Sequence, residues 1–324
     1  MYNYIIIGQG LAGTILSYHL LKQGKKVIVL NHYNPKCSSY IAAGIFSPIT
    51  GQRVTKIANY EQVIPYAHIL YKEIESLLNS QFFHVKPYIK LNVKEKIAHY
   101  TQARLADPEY QHLITPFAHK LGSKRVNGIA IKQAGYLDIP IMLNAYRAYL
   151  NDLGCYKEEQ FNEDHLVVHG NSITYKDIKA ERIVFCNGFN AKDNGFFNHL
   201  NFNPTKGELI TIRMKKDMDS IISGNVFLLP IGNNLFHVGA TYERNYQHDQ
   251  PTQEGRNWLI NELSLILDEP YEIIDHKAGI RPTTFGHQPF IGWHKEYDNV
   301  GVFSGFGSKG ASLIPFYAKR FSDS

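Results

Sequence analysis

Three glycines in the run Gly8-Gln9-Gly10-Leu11-Ala12-Gly13 stand at the spacing of a dinucleotide-binding turn. The first permits a tight turn, the second a close approach of a pyrophosphate, and the third close packing of a helix on a strand. Leu11 and Ala12 open that helix, where phosphate charge is favoured. By itself the motif suits a dinucleotide of either common kind or a ligand-free turn. About 20 residues on, where such sites carry an acid for a ribose hydroxyl, the chain has Asn31. An amide accepts the same hydrogen bond without the charge, and it equally suits a strand-end turn. The stretch Ser38-Ser39-Tyr40-Ile41-Ala42-Ala43-Gly44 then combines hydroxyls with small residues, as a loop passing close to phosphate and to a flat ring requires.

Other chemistries find little support. The three cysteines, Cys37, Cys155 and Cys186, form no CxxC pair and no metal-like spacing with histidine, so no metal site and no disulfide framework are expected. They read as buried thiols in a reducing compartment. No basic-then-apolar leader precedes the first strand, and no apolar run reaches the ~18 to 20 residues of a membrane helix, which makes the cytoplasm the expected location. The net charge of +5 is spread along the chain without a dense block, so nucleic acid is not expected as a partner.

The elements that must position these residues follow from periodicity. An apolar run over Tyr4 to Ile7, a helical pattern to a stop at Gly24, and a second buried run over Val27 to Leu30 make a strand, turn, helix, strand unit. An amphipathic helix is predicted from Glu61 to Leu78, with Val63, Ala67, Leu70, Ile74 and Leu77 on one face. Alternating stretches around His84 to Val93 and Gly128 to Lys132 suggest an antiparallel sheet, and Asp138 caps a helix with Pro140 in its first turn and Gly154 at its end. Ile183 to Cys186 returns to the first sheet. Leu209 to Ile212, Val226 to Leu229 and Leu235 to Val238 return to the second, followed by a helix from Gln253 to Leu267. A last strand, Val300 to Ser304, enters the turn Gly305 to Gly310 and a helix from Ala311.

The glycine turn, the Ser-Ser-x-x-Ala-Ala-Gly stretch with Pro48 after it, Gly135-Tyr136-Leu137-Asp138, and Phe185-Cys186-Asn187-Gly188 occur in an order that resembles the D-amino-acid oxidase, glycine oxidase and sarcosine oxidase superfamily. The most specific block is C-terminal: Ala278-Gly279-Ile280-Arg281-Pro282, Pro289-Phe290-Ile291-Gly292, and Ser304-Gly305-Phe306-Gly307-Ser308-Lys309-Gly310. The resemblance implies an α/β (α+β) fold, with a Rossmann-like FAD-binding domain of the glutathione-reductase type and an interleaved antiparallel-sheet substrate domain. The first would comprise residues 1–78, 134–205 and 276–324, the second 79–133 and 206–275.

It further implies non-covalent FAD held by Gly8, Gly10, Leu11, Ala12, Gly13, Asn31, Ser38, Ser39, Ala42, Ala43, Gly44, Asn187, Gly188, Gly279, Gly305, Gly307, Ser308 and Gly310. Arg281 would anchor a substrate carboxylate, which suits a planar guanidinium that pairs bidentately and stays charged when desolvated. Lys309 stands where sarcosine oxidases carry a second carboxylate-holding lysine, and the glycines beside it would present backbone N–H groups to negative charge at flavin N1 and the C2 carbonyl. In the implied reaction a neutral small amine or amino acid gives a hydride to flavin N5, and water hydrolyses the resulting imine. Two departures change the polar lining: Phe227 and Leu228 stand where glycine oxidases use a tyrosine, and Ser308 stands near an arginine position, which makes glycine itself a doubtful substrate. Tyr242 and His237 are either cavity residues or packing. Three alternatives remain: the flavin domain of the tRNA wobble-uridine modification enzyme, whose fused methyltransferase this sequence does not contain; a nicotinamide-dependent dehydrogenase, which leaves the C-terminal blocks unexplained; and a non-catalytic flavin-binding protein, which has no need of Arg281.

Overall fold

In the computed structural model, residues 1–121, 123–215 and 217–324 are described. The Tyr2–Ile7 strand pairs in parallel with Val27–Asn31 on one side and Ile178–Phe185 on the other. Tyr156–Glu158 and Val300–Ser304 extend the parallel sheet outward. All four residues Ile5, Ile28, Ile183 and Val300 occupy one register row and are buried, because helices or packed aromatics cover the sheet on both faces. The Leu11–Lys22 helix crosses between the first two strands and ends where Gly24 takes a φ of +76°, donating to the Leu21 carbonyl. The carboxyl ends of four parallel strands therefore lie at one edge: Gly8 follows the first, Asn31 ends the second, Asn187 follows the third and Gly305 the fourth. That edge is where open α/β sheets bind ligands.

A second eight-stranded sheet runs in the order Tyr271–Arg281, Thr205–Met214, Leu235–Gly239, Phe227–Gly232, Ile221–Ser223, Tyr88–Leu91, Lys124–Ile131 and Ile114–Leu121. Its neighbours are antiparallel except for Ile221–Ser223 beside Tyr88–Leu91. One face packs under the Gln253–Ser264 helix, with Leu259 and Leu263 against Ile210, Ile222 and Val238. The other face carries Leu209 and Phe227 toward the first sheet. Both faces of Thr205–Met214 are covered, so nine of its ten residues are buried. The expected boundaries at 205/206 and 275/276 fall inside its continuous pairing with Tyr271–Arg281.

Several expectations differ from the structure. The Glu95–Leu105 helix buries only Ile97 and Thr101, so its apolar stripe is too thin to read as a helix. Tyr271–Arg281 alternates polar and apolar residues too weakly for periodicity to mark a strand, although ten register pairs hold it in place. Ser38–Ile41 is a single helical turn, not a loop. Of the cysteines only Cys186 is buried, and burial pushes its thiol up; Cys37 and Cys155 are partly exposed. The Asp138 cap forms as expected, its carboxylate accepting from the Ile141 N–H at 3.2 Å.

Two histidines are held neutral inside the fold. Burial lowers His19 to about 4, assisted by Lys22 and Lys319, and burial lowers His237 to about 4, assisted by Lys277. In the unfolded chain both titrate near about 6.5. Between those values the unfolded state binds more protons, so stability is present above about pH 6.5 and is lost as pH falls toward about 4. Thermal melts across that window are expected to show a falling midpoint, and His19→Gln or His237→Gln to flatten the fall. An unchanged slope in both variants would contradict the assignment.

Candidate active site

One cavity of about 1220 Å³ runs from the glycine turn to the Gly305–Gly310 turn, along the edge where the parallel strands end. Gly8, Gly10, Leu11 and Ala12 line it. Gly8 makes the turn with a φ of +97°, and the Leu11 N–H donates to the Ser39 hydroxyl at 3.2 Å. Gly13 does not reach the cavity. It packs the helix on the strand so closely that a Cβ there would stand 1.9 Å from the Gly8 carbonyl oxygen. The N-cap Gly10 supplies no side-chain cap and the first turn carries no acid, so the positive end of the helix has no compensating charge of its own.

Asn31 lines the cavity and is already engaged: its Oδ1 accepts from the Gln9 N–H at 2.9 Å, and its Nδ2 donates to Tyr156 at 3.2 Å. It thus clamps the glycine turn to the second strand, while a second lone pair and a second N–H remain available. Arg147, which no sequence motif marked, lies on the same wall. Its Nε donates to Gln9 Oε1 at 2.8 Å, an Nη donates to the Tyr40 hydroxyl at 2.7 Å, and the guanidinium stacks 4.7 Å from the Tyr33 ring centre. It is fixed beside the glycine turn, where phosphate charge would gather. The only signal in the sequence was one cation among the apolar positions of the Ile139–Asp152 helix.

Ser38, Ser39, Ala42, Ala43 and Gly44, with Asn187, Gly188 and Gly279, line the cavity as well, and Gly279 packs against Ile41 of the Ser38–Ile41 turn. Ser304 donates to the Gly188 carbonyl at 2.8 Å and ties the third and fourth strand ends together. Asn187 lines the cavity, and its Oδ1 is buried without a hydrogen-bond partner. At the far end Gly305, Gly307, Ser308, Lys309 and Gly310 line the wall. The Gly310–Ser322 helix that follows has neither a side-chain cap nor an acid in its first turn.

Arg281 lies at this end, on the wall formed by the second sheet. Its guanidinium lies over Gly207, where a Cβ would stand 2.0 Å from Nη2, and Nη1 donates to the Thr241 carbonyl at 3.1 Å and the Lys206 carbonyl at 3.4 Å. Burial lowers its proton affinity, and the Tyr242 ring, 5.7 Å away, works against that. No carboxylate pairs with it among the described residues. Its neighbour Lys206 is the opposite case, 1% exposed with its ammonium 3.1 Å from both Glu208 Oε1 and Glu243 Oε2. Burial pushes the Glu208 carboxyl up, but donors from Thr252 and Lys206 outweigh it and hold it below the usual range. The chain thus neutralises one buried cation with two carboxylates, whereas Arg281 has only backbone carbonyl partners among the described residues. Leu209, Phe227 and Ala240 make the adjoining wall apolar. Tyr242 and His237 are not on it; His237 is bonded to Thr211 at 3.0 Å.

The residues present fit a flavin dinucleotide. The space reaches from the start of the Leu11–Lys22 helix, past Asn187, to the start of the Gly310–Ser322 helix, neither with an acid in its first turn, and glycine backbone forms both extremities. Among the described residues no group of three His, Cys, Asp or Glu side chains could hold a metal ion, and no helix is long and apolar enough to cross a membrane.

Comparison with known proteins agrees with this geometry. The family described as FAD dependent oxidoreductase (DAO) matches residues 3–324. A tRNA 5-methylaminomethyl-2-thiouridine biosynthesis bifunctional protein of Legionella pneumophila (strain Corby) is 21% identical over 361 residues, covering 96% of this chain and 52% of that protein. The chain thus spans about half the length of that relative. A glycine oxidase of Bacillus licheniformis is 22% identical over 344 residues, covering 99% of this chain and 92% of the relative. The solved structure of glycine oxidase from Bacillus cereus ATCC 14579 superposes with a TM-score of 0.81 at 17% identity, covering 100% of this chain and 94% of the other.

Proposed function

Because the chain belongs to the DAO family of FAD-dependent oxidoreductases, we propose that it oxidises the C–N bond of a small amine or amino acid whose carboxylate is held by Arg281. The observation that carries this reading is a desolvated guanidinium, without a carboxylate partner among the described residues, on the wall of the cavity that suits FAD. A bidentate pair with a carboxylate supplies both charge and orientation. We assign residues 1–78, 134–205 and 276–324 mainly to FAD binding and 79–133 and 206–275 mainly to the substrate side.

FAD, when bound, accepts two electrons as a hydride from the substrate α-carbon. The glycine turn, Ser39 and Arg147 would hold the phosphates, and Asn31, which supports that turn, would hold the ribose. Ala42 to Gly44, Asn187, Gly188, Gly279 and the Gly305–Gly310 backbone would hold the ring, where the last helix start would favour negative charge. Arg281 fixes the carboxylate, Lys309 offers a second cation on the wall of the same cavity, and Leu209 and Phe227 keep water from the reacting carbon. The amine reacts in its neutral form, so no dedicated base is required, and the imine takes up water to give a carbonyl compound and a free amine. Incubating the holoprotein with N-alkylglycines and with matched amines lacking the carboxylate tests this. Carbonyl product is expected from the carboxylate-bearing set; equal rates without the carboxylate, or no product from any member, would overturn it.

A second reading has support in the Legionella relative. A carboxymethylaminomethyl group on a wobble uridine also sets a carboxylate beside a secondary amine. Release of that carboxymethyl group from tRNA, with no turnover of free amino acids, would favour it.

A further inference from the structure

Besides Arg281 and Lys309, Lys90 stands on the wall of the same cavity without a carboxylate partner among the described residues. Lys90, in the Tyr88–Leu91 strand, is 7% exposed. Its strand neighbours Ile89 and Leu91 pack into the core beneath the Gln253–Ser264 helix, so Lys90 shares the opposite face with Tyr88, and both contribute to the cavity. The register Lys90, Ser223, Phe227, Gly239, Leu209 runs straight across the sheet, which puts Lys90 on the face that carries Phe227 and Leu209. Lys206, equally buried, has two carboxylates. Lys90 has none among the described residues, and its proton affinity is lowered by burial alone. A buried ammonium without a counter-charge is costly to the fold.

Lys90 and Arg281 do not converge on one group. Leu209, next to the Gly207 platform of Arg281, is four strand spacings from Lys90, about 19 Å along the sheet, with Phe227 between them. We propose that Lys90 is an anion-recognition residue separate from Arg281 and Lys309, so that the substrate is two-ended: one carboxylate on Arg281 beside the reacting carbon, and a second anionic group on Lys90 at the far end of the chamber. This rests on the reading of Arg281 above.

The test uses α,ω-dicarboxylates of increasing length, each against the monocarboxylate of the same length, titrated calorimetrically into the holoprotein. At one length the dicarboxylate is expected to bind at least about tenfold more tightly, and Lys90→Met to bring that ratio to about one while Lys90→Arg keeps most of it. Lys90→Met is also expected to melt no lower than the native holoprotein, because an apolar chain replaces an uncompensated charge. A ratio near one at every length, or a ratio that survives Lys90→Met, overturns the proposal. If monocarboxylates still bind and Arg281→Met abolishes that binding, the Arg281 reading stands without Lys90; if no carboxylate binds at all, both fall.

Discussion

Gly13→Ala is expected to yield a protein that purifies with little flavin and takes it up only at FAD concentrations about 100-fold or more above those the native chain needs. The new methyl carbon would stand 1.9 Å from the Gly8 carbonyl oxygen and 3.1 Å from its carbonyl carbon. Both are backbone atoms in the turn itself, so the overlap is relieved only by lifting the helix from the strand and opening the turn that faces the pyrophosphate. Several hydrogen bonds to phosphate are lost together, and a fall of about 100-fold or more in FAD affinity follows from losing about 3 kcal/mol. Gly24→Ala is the control. It places a side chain at a φ of +76° with nothing within 4 Å, costs about 1 kcal/mol of backbone strain, and is expected to retain flavin. Circular dichroism of both variants separates a lost ligand from a lost fold, and stoichiometric flavin in Gly13→Ala would contradict the turn's role.

The second large effect is at the proposed carboxylate anchor. Arg281→Met is expected to lower kcat/KM for a carboxylate-bearing amine by roughly 30-fold to several thousand-fold, the range of about 2 to 5 kcal/mol for truncating one member of a buried charge pair. Arg281→Lys restores little, because a single ammonium cannot reproduce a two-pronged guanidinium contact. Gly207→Ala reaches the same result from the neighbouring strand, since its Cβ would stand 2.0 Å from Arg281 Nη2 and 2.1 Å from Cζ. Displacing the guanidinium without deleting it separates position from charge. Unchanged kcat/KM in both Arg281→Met and Gly207→Ala would remove Arg281 from the site.

Much of the site was legible because local backbone demands leave local marks. A glycine turn between an apolar strand and a helix is written in contiguous residues, as is the Asp138 cap with Pro140 after it. Arg281 was legible through its flanking motif, yet its platform, Gly207, sits 74 positions earlier in the chain and becomes its neighbour only through strand pairing. Arg147 and Lys90 carry no motif at all. One is a polar position on an amphipathic helix and the other an alternate residue in a short strand, and their meaning depends on which face the register turns toward the cavity. The Asn31 contact was open in the sequence because an amide serves equally as ligand or as turn residue; its bond to the Gln9 N–H gives it a structural role beside any contact with ribose.

The most direct measurement is the visible spectrum of the holoprotein under anaerobic conditions while an N-alkylglycine is added. The oxidised-flavin absorbance is expected to bleach at a rate that saturates with substrate, and the same amine without its carboxylate to leave the spectrum oxidised over the same time. A flavin that stays oxidised with every carboxylate-bearing amine offered, or that bleaches as fast without the carboxylate, would contradict amine oxidation steered by Arg281.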